Sequence, residues 1–235
     1  MSLRLLAGAA AIASLVALPG PAAAQSKNLA PGFAALSLGA KVAIMPTDIE
    51  LFSISAGGVA EPKADWTEAA SKHFKDALIA KKKQALKLDV VEVAEKDADE
   101  LADVNALHGA IARAISMHHL GPGFLQLPTK DGQLDWSLGD ATRAIKKATG
   151  ADYALFTWVR DSYTSAERVG AMIALAIVGV GLTGGQQTGY ASLVELDTGR
   201  VLWFNRLMRA SGDLREADKA AETVDALLAN FPAPK

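Results

Sequence analysis

The chain has 235 residues, half of them hydrophobic, with 24 Lys or Arg against 26 Asp or Glu and a formal net charge of −2. This balance excludes a generic nucleic-acid-binding protein, which carries a basic excess. The chain has no cysteine, which excludes disulfides, zinc–thiolate sites, iron–sulfur clusters and a lipidated cysteine.

The first 24 residues have the pattern of a secretory signal peptide. Arg4 supplies the positive start, the uncharged apolar run Leu5–Leu18 follows, and Ala22–Ala24 offer a small-residue cleavage pattern before Gln25. The apolar run is shorter than the roughly 20 residues that span a membrane. We therefore expect residues 1–24 to be removed on export, leaving a periplasmic protein without a lipid anchor; an uncleaved membrane anchor is the alternative.

Residues 25–39 are small, polar and contain Pro and Gly, a composition typical of a flexible tether. The domain is predicted to follow as 40–235. It opens with a short β-type run, Val42–Met45. The next stretch, 47–63, contains a Gly-Gly pair and a proline and is predicted to be mainly loop.

Helical periodicity predicts a helix over 65–86 and another over 97–119, with a strand, 88–93, between them. A turn-rich link and a short helix ending at a C-cap glycine, Gly150, are expected next. The predicted buried faces are Trp66, Ala70, Phe74, Ala77 and Leu78 in the first helix, Val104, Leu107, Ile111, Ile115 and His118 in the second, and Leu138, Ala141, Ile145 and Ala148 in the short one.

The run 151–160 is predicted to be the central strand because its alternating residues are apolar on both sides. Tyr153, Leu155 and Val159 lie on one face, and Ala154, Phe156 and Trp158 on the other.

Two further strands, 190–196 and 201–208, flank an Asp-x-Gly turn that is typical of a hairpin. A last helix is predicted to be capped by Asp213, with Glu216 completing an acidic capping box. Its predicted buried side is Leu214, Ala217, Ala221, Val224, Leu228 and Phe231.

This order predicts a single α/β domain. Strands separated by helices are expected to be parallel, and the last two antiparallel. The expected fold is a mixed, mostly parallel sheet with helices on both faces and a C-terminal β-hairpin plus helix.

An uncharged segment of 26 residues lies between Arg168 and Glu195, and its first part, 169–182, is almost entirely aliphatic and glycine. As a helix it would be about 21 Å long, too short for a simple membrane span. One interpretation is a core helix packed on the sheet. The other is an element for self-association or membrane contact, whose candidate residues are Val169, Met172, Ile173, Leu175, Ile177, Val178 and Leu182.

No hydrolase elbow, zinc-protease motif, P-loop or dinucleotide-binding motif is present. The histidines His108, His118 and His119 are interpreted as residues at the ends of an amphipathic helix, and no metal site or cofactor is predicted. The segment 160–168 is expected to be a loop after the central strand, a position that favours ligand sites. The candidate partner- or ligand-binding residues are Asp161, Ser162, Tyr163, Arg168 and Asn205.

Several segments carry a resemblance to known envelope proteins. Four segments occur in the same order as in α/β envelope modules such as the curli secretion channel lipoprotein and the N-terminal domain of TolB. They are an early Val-Ala-Ile-Met-Pro strand, Gly-Ala-Asp-Tyr-Ala-Leu at 150–155, the run 191–203 and a final amphipathic helix. A closer resemblance is to a group of uncharacterised exported proteobacterial proteins. It rests on the segments 135–139, 160–163, 203–205 and 212–215.

The resemblance implies an α/β envelope module and brings no known activity. The sequence therefore favours a non-catalytic periplasmic protein for protein interaction or envelope assembly, with an unknown envelope protein as partner and no nucleic acid. One alternative is a membrane-associated oligomer that uses 169–189. Another is a hydrolase-type enzyme with its site near 160–168.

Overall fold

The structure, a computed structural model, describes residues 26–81, 88–93, 97, 99–182, 184–210 and 212–234. The predicted signal peptide lies outside the described residues. The strands are β1 (Lys41–Ile44), β2 (Asp48–Ile54), β3 (Ala60–Pro62), β4 (Asp89–Glu92), β5 (Tyr153–Thr164), β6 (Gln187–Glu195) and β7 (Val201–Arg209). The α-helices are α1 (Ala64–Lys81), α2 (Ala102–His118), α3 (Arg143–Thr149), α4 (Ala166–Ala176) and α5 (Ala217–Leu227), and short 3₁₀ turns cover Gly123–Leu125, Pro128–Lys130 and Gly139–Thr142.

Strand β5 is the centre of a seven-stranded sheet. Along one edge it pairs in parallel with β1, through residues 153–155, and then with β2, through 158–164. Along its other edge it pairs antiparallel with β6. Beyond these neighbours, β4 adds to β1 in parallel, and β3 and β7 add antiparallel to β2 and β6. This mixed sheet confirms the predicted α/β fold.

Helices cover both faces of the sheet, so β5 is buried on both sides as predicted. Helices α1 and α5 pack together over the face that carries Leu155 and Val159. Residues of α2 and α3 cover the opposite face, where β5 contributes Ala154 and Phe156. The domain therefore has three layers around one sheet.

The prediction of a loop over most of 47–63 is wrong, because this stretch forms the β2–β3 hairpin. Ile49, Leu51 and Ser53 point inward and are buried, while the residues between them are more exposed. The hairpin turns at Gly58, whose φ of +86° lies in the left-handed region that favours glycine.

Two predicted helix features are also wrong. In α2 the buried face includes His108, whereas Leu107, predicted to be buried, is 37% exposed. Helix α5 begins after Glu216 without a side-chain cap. The expected cap, Asp213, instead forms an ion pair with Arg215.

The described part of the predicted tether lies along the outer edge of β7. The N–H of Ala30 donates to the carbonyl of Leu202 at 2.9 Å, and the N–H of Phe204 donates to the carbonyl of Asn28 at 3.0 Å. Ala30 and Leu36 are buried. These contacts cover one end of an edge strand that would otherwise expose unpaired backbone groups.

The turn between β6 and β7 is the predicted hairpin. Gly199 has a φ of +72°, and a Cβ there would lie 2.3 Å from the carbonyl oxygen of Gly139. The N–H of Leu138 donates to the Gly199 carbonyl at 2.8 Å. The two backbones can therefore approach only because residue 199 has no side chain.

We expect Gly199→Ala to destabilise the domain strongly. The left-handed backbone alone costs an alanine about 1–2 kcal/mol, and the contact with Gly139 adds to that cost. Gly132→Ala is the matched control, because Gly132 also has a positive φ but a Cβ there meets no atom within 4 Å. Urea unfolding measures both variants, and equal losses would show that the close approach contributes nothing.

Candidate functional site

The segment 160–164, predicted to be a loop, is the last part of β5. The prediction failed because the strand continues past Arg160, whose guanidinium forms ion pairs with Asp48 at 2.8 Å and Glu50 at 3.3 Å on the neighbouring strand. A charged residue that is paired across a sheet does not end a strand. The candidate residues Asp161, Ser162 and Tyr163 are therefore held by strand pairing.

Asp161 is 2% exposed and is the centre of a buried hydrogen-bond network. Its Oδ2 accepts hydrogen bonds from the Tyr163 hydroxyl and from Gln187 Nε2, the latter at 2.6 Å. The N–H of Leu214 donates to the Tyr163 hydroxyl oxygen at 2.8 Å. We call Asp161, Tyr163, Gln187, Arg209 and Thr223 the polar knot.

The rest of the polar knot links β7 and α5. Gln187 Oε1 accepts a hydrogen bond from Arg209 Nε at 2.8 Å, and Arg209 Nη2 donates to Thr223 Oγ1 at 2.7 Å. The knot therefore joins β5, β6, β7 and α5 at one end of the sheet.

Burial shifts the pKa of both titratable groups at the centre of the knot. Burial raises the pKa of Asp161, although the hydrogen bonds from Tyr163 and Gln187 act in the opposite direction. Burial and the neighbouring Asp161 carboxyl raise the pKa of the Tyr163 hydroxyl far above its usual range. Because both groups are committed to neighbours within the fold, we assign them a structural role.

Arg215 extends the knot to the surface. Its guanidinium lies 3.9 Å from the centroid of the Tyr163 ring and 4.7 Å from that of Trp66, and it pairs with Asp213 at 2.6 Å. Asn205 lies beside α5, where its Nδ2 donates to the carbonyls of Ala226 and Leu227. Two of the segments behind the predicted resemblance, 160–163 and 212–215, thus meet at the knot.

Arg168 and Ser162 hold the two ends of the stretch 168–186, which contains the apolar part of the uncharged segment. Arg168 is buried, and its Nη1 lies 3.5 Å from the carbonyl oxygens of Ser55 and Ala56 in the β2–β3 turn. The N–H of Ser162 donates to the Gln186 carbonyl at 3.1 Å, and Ser162 Oγ accepts from the Gln186 N–H at 2.9 Å. Both ends of this stretch are therefore attached to the sheet.

Helix α4 and the residues that follow it, 166–182, form an element that is exposed and apolar beyond Arg168, which we call the apolar arm. Ser165 caps α4 by accepting a hydrogen bond from the N–H of Arg168 at 3.2 Å. Beyond Arg168 the exposed fractions are 42% for Val169, 62% for Ile173, 82% for Ile177, 71% for Val178 and 46% for Val180.

The interpretation of 169–182 as a core helix is wrong, since the only buried residue of α4 is Arg168. The candidate residues Met172, Leu175 and Leu182 are half-buried, and the others are exposed. In the described part of the chain, no helix is both long and apolar enough to cross a membrane.

His108 is a buried polar residue whose position was not predicted. It lies in the middle of the buried face of α2, with its Nε2 2.5 Å from Ser192 Oγ and its ring stacked on Phe156 at 4.0 Å between centroids. Burial lowers the pKa of His108 to about 3. Val104, His108 and Ala112 are four residues apart and therefore lie on one face of α2, and this spacing could have predicted that His108 is buried.

No protein-family model matches the chain, and no curated protein is similar to it in sequence. Among solved structures it is similar to the PelC dodecamer from Paraburkholderia phytofirmans, with 14% identity, 86% of this chain and 93% of that chain covered, and a TM-score of 0.37. It is also similar to lipoprotein GNA1162 from Neisseria meningitidis (12% identity, 74% and 81% covered, TM-score 0.30) and to the LpoB C-terminal domain from Salmonella enterica (12% identity, 77% and 87% covered, TM-score 0.29). Similarity at this level assigns no function, and the resemblance to the curli channel and TolB modules stays a prediction.

We expect Tyr163→Phe to lower the free energy of unfolding by about 1–3 kcal/mol, because it removes a donor to buried Asp161 and an acceptor for the Leu214 N–H. Tyr153→Phe makes the same chemical change on the same strand, where no described residue hydrogen bonds to the hydroxyl. Chemical denaturation of both variants is the measurement. A Tyr163→Phe protein as stable as the Tyr153→Phe protein would contradict the structural role of the knot.

Stability should also fall in acid because of His108. Its pKa is lowered in the folded protein from the ordinary 6.5, so its contribution is complete above pH 6.5 and is lost as the pH falls and the unfolded chain takes up the proton. At pH 5 this loss amounts to about 2 kcal/mol. His108→Gln should show a correspondingly smaller decrease between pH 7 and pH 5 in urea unfolding. Met117→Gln, an exposed position on the same helix, should keep the wild-type decrease.

Proposed function

We propose that the protein is a non-catalytic assembly module of the bacterial envelope that associates with further copies of itself through the apolar arm. The observation that carries the proposal is the exposure of the arm. The aliphatic residues Ile173 and Ile177, for example, are 62% and 82% exposed. Contiguous exposed apolar surface of this kind marks an interaction site.

Covering the apolar side chains of the arm requires neighbours on more than one side of α4. Successive helical residues are turned by about 100°, so the uncharged stretch after Arg168 makes α4 apolar around its whole circumference. A helix with this pattern is normally buried on all sides. A bundle of arms from several copies provides such an environment, whereas a single flat partner surface covers only one side.

The backbone of the arm favours a protein neighbour over lipid. Within the described residues, the backbones of 181 and 182, at the end of the arm, and of 184 and 185, directly after it, make no hydrogen bond. An unsatisfied backbone group costs several kcal/mol in a bilayer core. Neighbouring chains can supply partners for these groups, which a lipid tail cannot.

The composition of the arm favours a second copy over a different protein. The arm has no charge after Arg168 with which to select a partner of opposite charge. Gly170 and Ala174 are both exposed and lie one turn apart on α4, and small residues at this spacing allow two helices to approach closely. An identical arm offers the matching surface at equal stoichiometry.

The envelope location rests on the predicted signal peptide, 1–24, and on the resemblance to exported α/β modules. Attachment of the arm at Arg168 and at Ser162–Gln186 supports assembly, because it fixes the position of the arm relative to the sheet. Copies that join through their arms would therefore present their domains in a repeated orientation.

We expect the protein purified from the periplasm to be oligomeric, and the double substitution Ile173→Lys with Ile177→Lys to make it monomeric. Two lysines in an apolar bundle would lose their hydration without gaining partners. Both side chains are exposed in the single chain, so thermal stability should change by no more than about 0.5 kcal/mol. Light scattering coupled to size-exclusion chromatography measures the mass.

Leu38→Lys is the matched control, because Leu38 is 79% exposed and lies outside the arm; it should leave the oligomer intact. A wild-type protein that is monomeric, or a double variant that stays oligomeric, would overturn self-association. A monomeric wild type that floats with phosphatidylethanolamine–phosphatidylglycerol vesicles, while the double variant does not, would assign the arm to the membrane instead.

A further inference from the structure

A second feature, independent of the apolar arm, is a cleft on the α2 side of the sheet. It has a volume of about 430 Å³ and lies between the end of β1 and the start of β2, beneath the first half of α2. This volume lies within the range of about 300–1,000 Å³ that is typical of small-molecule sites. Its apolar wall includes Met45, Leu101 and Trp158.

Two hydrogen-bond donors meet at a glycine in the wall of the cleft. A Cβ built on Gly109 would lie 3.6 Å from Arg113 Nη1 and 3.7 Å from the Tyr190 hydroxyl oxygen. The absence of a side chain at residue 109 therefore leaves a small open space between a guanidinium and a phenol.

Neither donor is used within the described fold. Tyr190 is only 5% exposed, and no described residue forms a hydrogen bond with its hydroxyl. Arg113 forms no ion pair with a described acidic residue. The Tyr190 hydroxyl and the guanidinium of the exposed Arg113 both border the open space of the cleft, so each can donate to a ligand there.

Two titratable groups of the cleft are already engaged. His108 Nε2 is bonded to Ser192 Oγ at 2.5 Å, and Asp48 is paired with Arg160 at 2.8 Å. Burial raises the pKa of Tyr190 to about 12, so its hydroxyl stays protonated and donates at neutral pH. Among the described residues, the unpaired polar groups of the cleft include one cation, one neutral hydroxyl donor and the Asn105 amide, and the first two are complementary to an anion.

We propose that this cleft binds a small organic anion, with its carboxylate or phosphate between Arg113 and Tyr190 in the space beside Gly109 and its apolar body against Met45, Leu101 and Trp158. The ring of Trp158 is stacked on Tyr190 at 5.1 Å and carries the Arg160 guanidinium at 4.7 Å. These contacts hold the indole in place, so it forms a preformed wall for the ligand.

Benzoate is the probe, because it combines a carboxylate with a compact apolar body. We expect it to bind with a dissociation constant at or below about 1 mM, and benzamide and benzylamine, which lack the negative charge, to bind at least about tenfold more weakly. Isothermal titration calorimetry of the purified full-length protein after export measures all three. Inorganic phosphate tests whether the anion site works without the apolar body.

Gly109→Ala is the decisive variant. Its methyl group would make only ordinary contacts with Arg113 and Tyr190, and alanine favours a helix by about 1 kcal/mol over glycine, so the fold should be kept. The methyl group would occupy the anion position, and benzoate affinity should fall at least about tenfold. Arg113→Gln should have a similar effect, and Gly123→Ala, where a Cβ meets nothing within 4 Å, should have none.

Three outcomes would overturn the proposal: no binding of benzoate or phosphate, benzamide binding as tightly as benzoate, or a folded Gly109→Ala protein that binds benzoate like the wild type. The last two would identify an apolar cleft without an anion site. Because the cleft contains no residue of the apolar arm, these results are independent of the oligomeric state.

Discussion

Strand β5 is hydrogen-bonded along both edges and carries buried apolar side chains on both faces, and the rest of the domain is arranged around it. With 12 residues, β5 is longer than either parallel neighbour, so β1 and β2 pair with successive parts of the same edge of β5. The break between these two strands, Met45–Thr47, opens the cleft. The far end of β5 carries first the polar knot and then the apolar arm. The position of each candidate site therefore follows from how β5 is paired.

Burial of Asp161 determines where the hairpin of β5 and β6 opens. A carboxyl group in a core must be satisfied by hydrogen bonds, since an unpaired one costs several kcal/mol. Its cross-strand partner Gln187 forms the last pair of the ladder between β5 and β6. Beyond this pair, the Ser162–Gln186 contacts join the two chain segments. The polar knot thus fixes the base from which the arm leaves the sheet.

The hydrophobic periodicity of the sequence and its turn residues predicted those parts of the fold that depend on local sequence. The two-sided apolar run of β5, the hairpin at Gly199 and the helices around Phe74 and Ile145 follow from spacing alone. The β2–β3 hairpin was missed because Ser53 is its third buried residue, and a serine breaks the apolar alternation. For α4, periodicity could not distinguish core from surface, since a helix that is apolar on all sides gives the same pattern in both. The cleft was missed because Gly109 and Tyr190 are far apart in sequence and only the fold brings them together.

The arm and the cleft are mechanically separate although one ladder connects them. The Trp158–Tyr190 pair lines the cleft, and the Asp161–Gln187 pair of the knot lies three residues further along the same two strands, about 10 Å away. A ligand changes a distant element only where that element has two arrangements of different affinity. Between the cleft and the knot, the strands are continuously paired in one register, and the knot holds its charged and polar groups with hydrogen bonds from four elements. An anion in the cleft would therefore add stability to the central sheet while leaving the arm in its position, so the domain can carry a ligand and an assembly surface as independent functions.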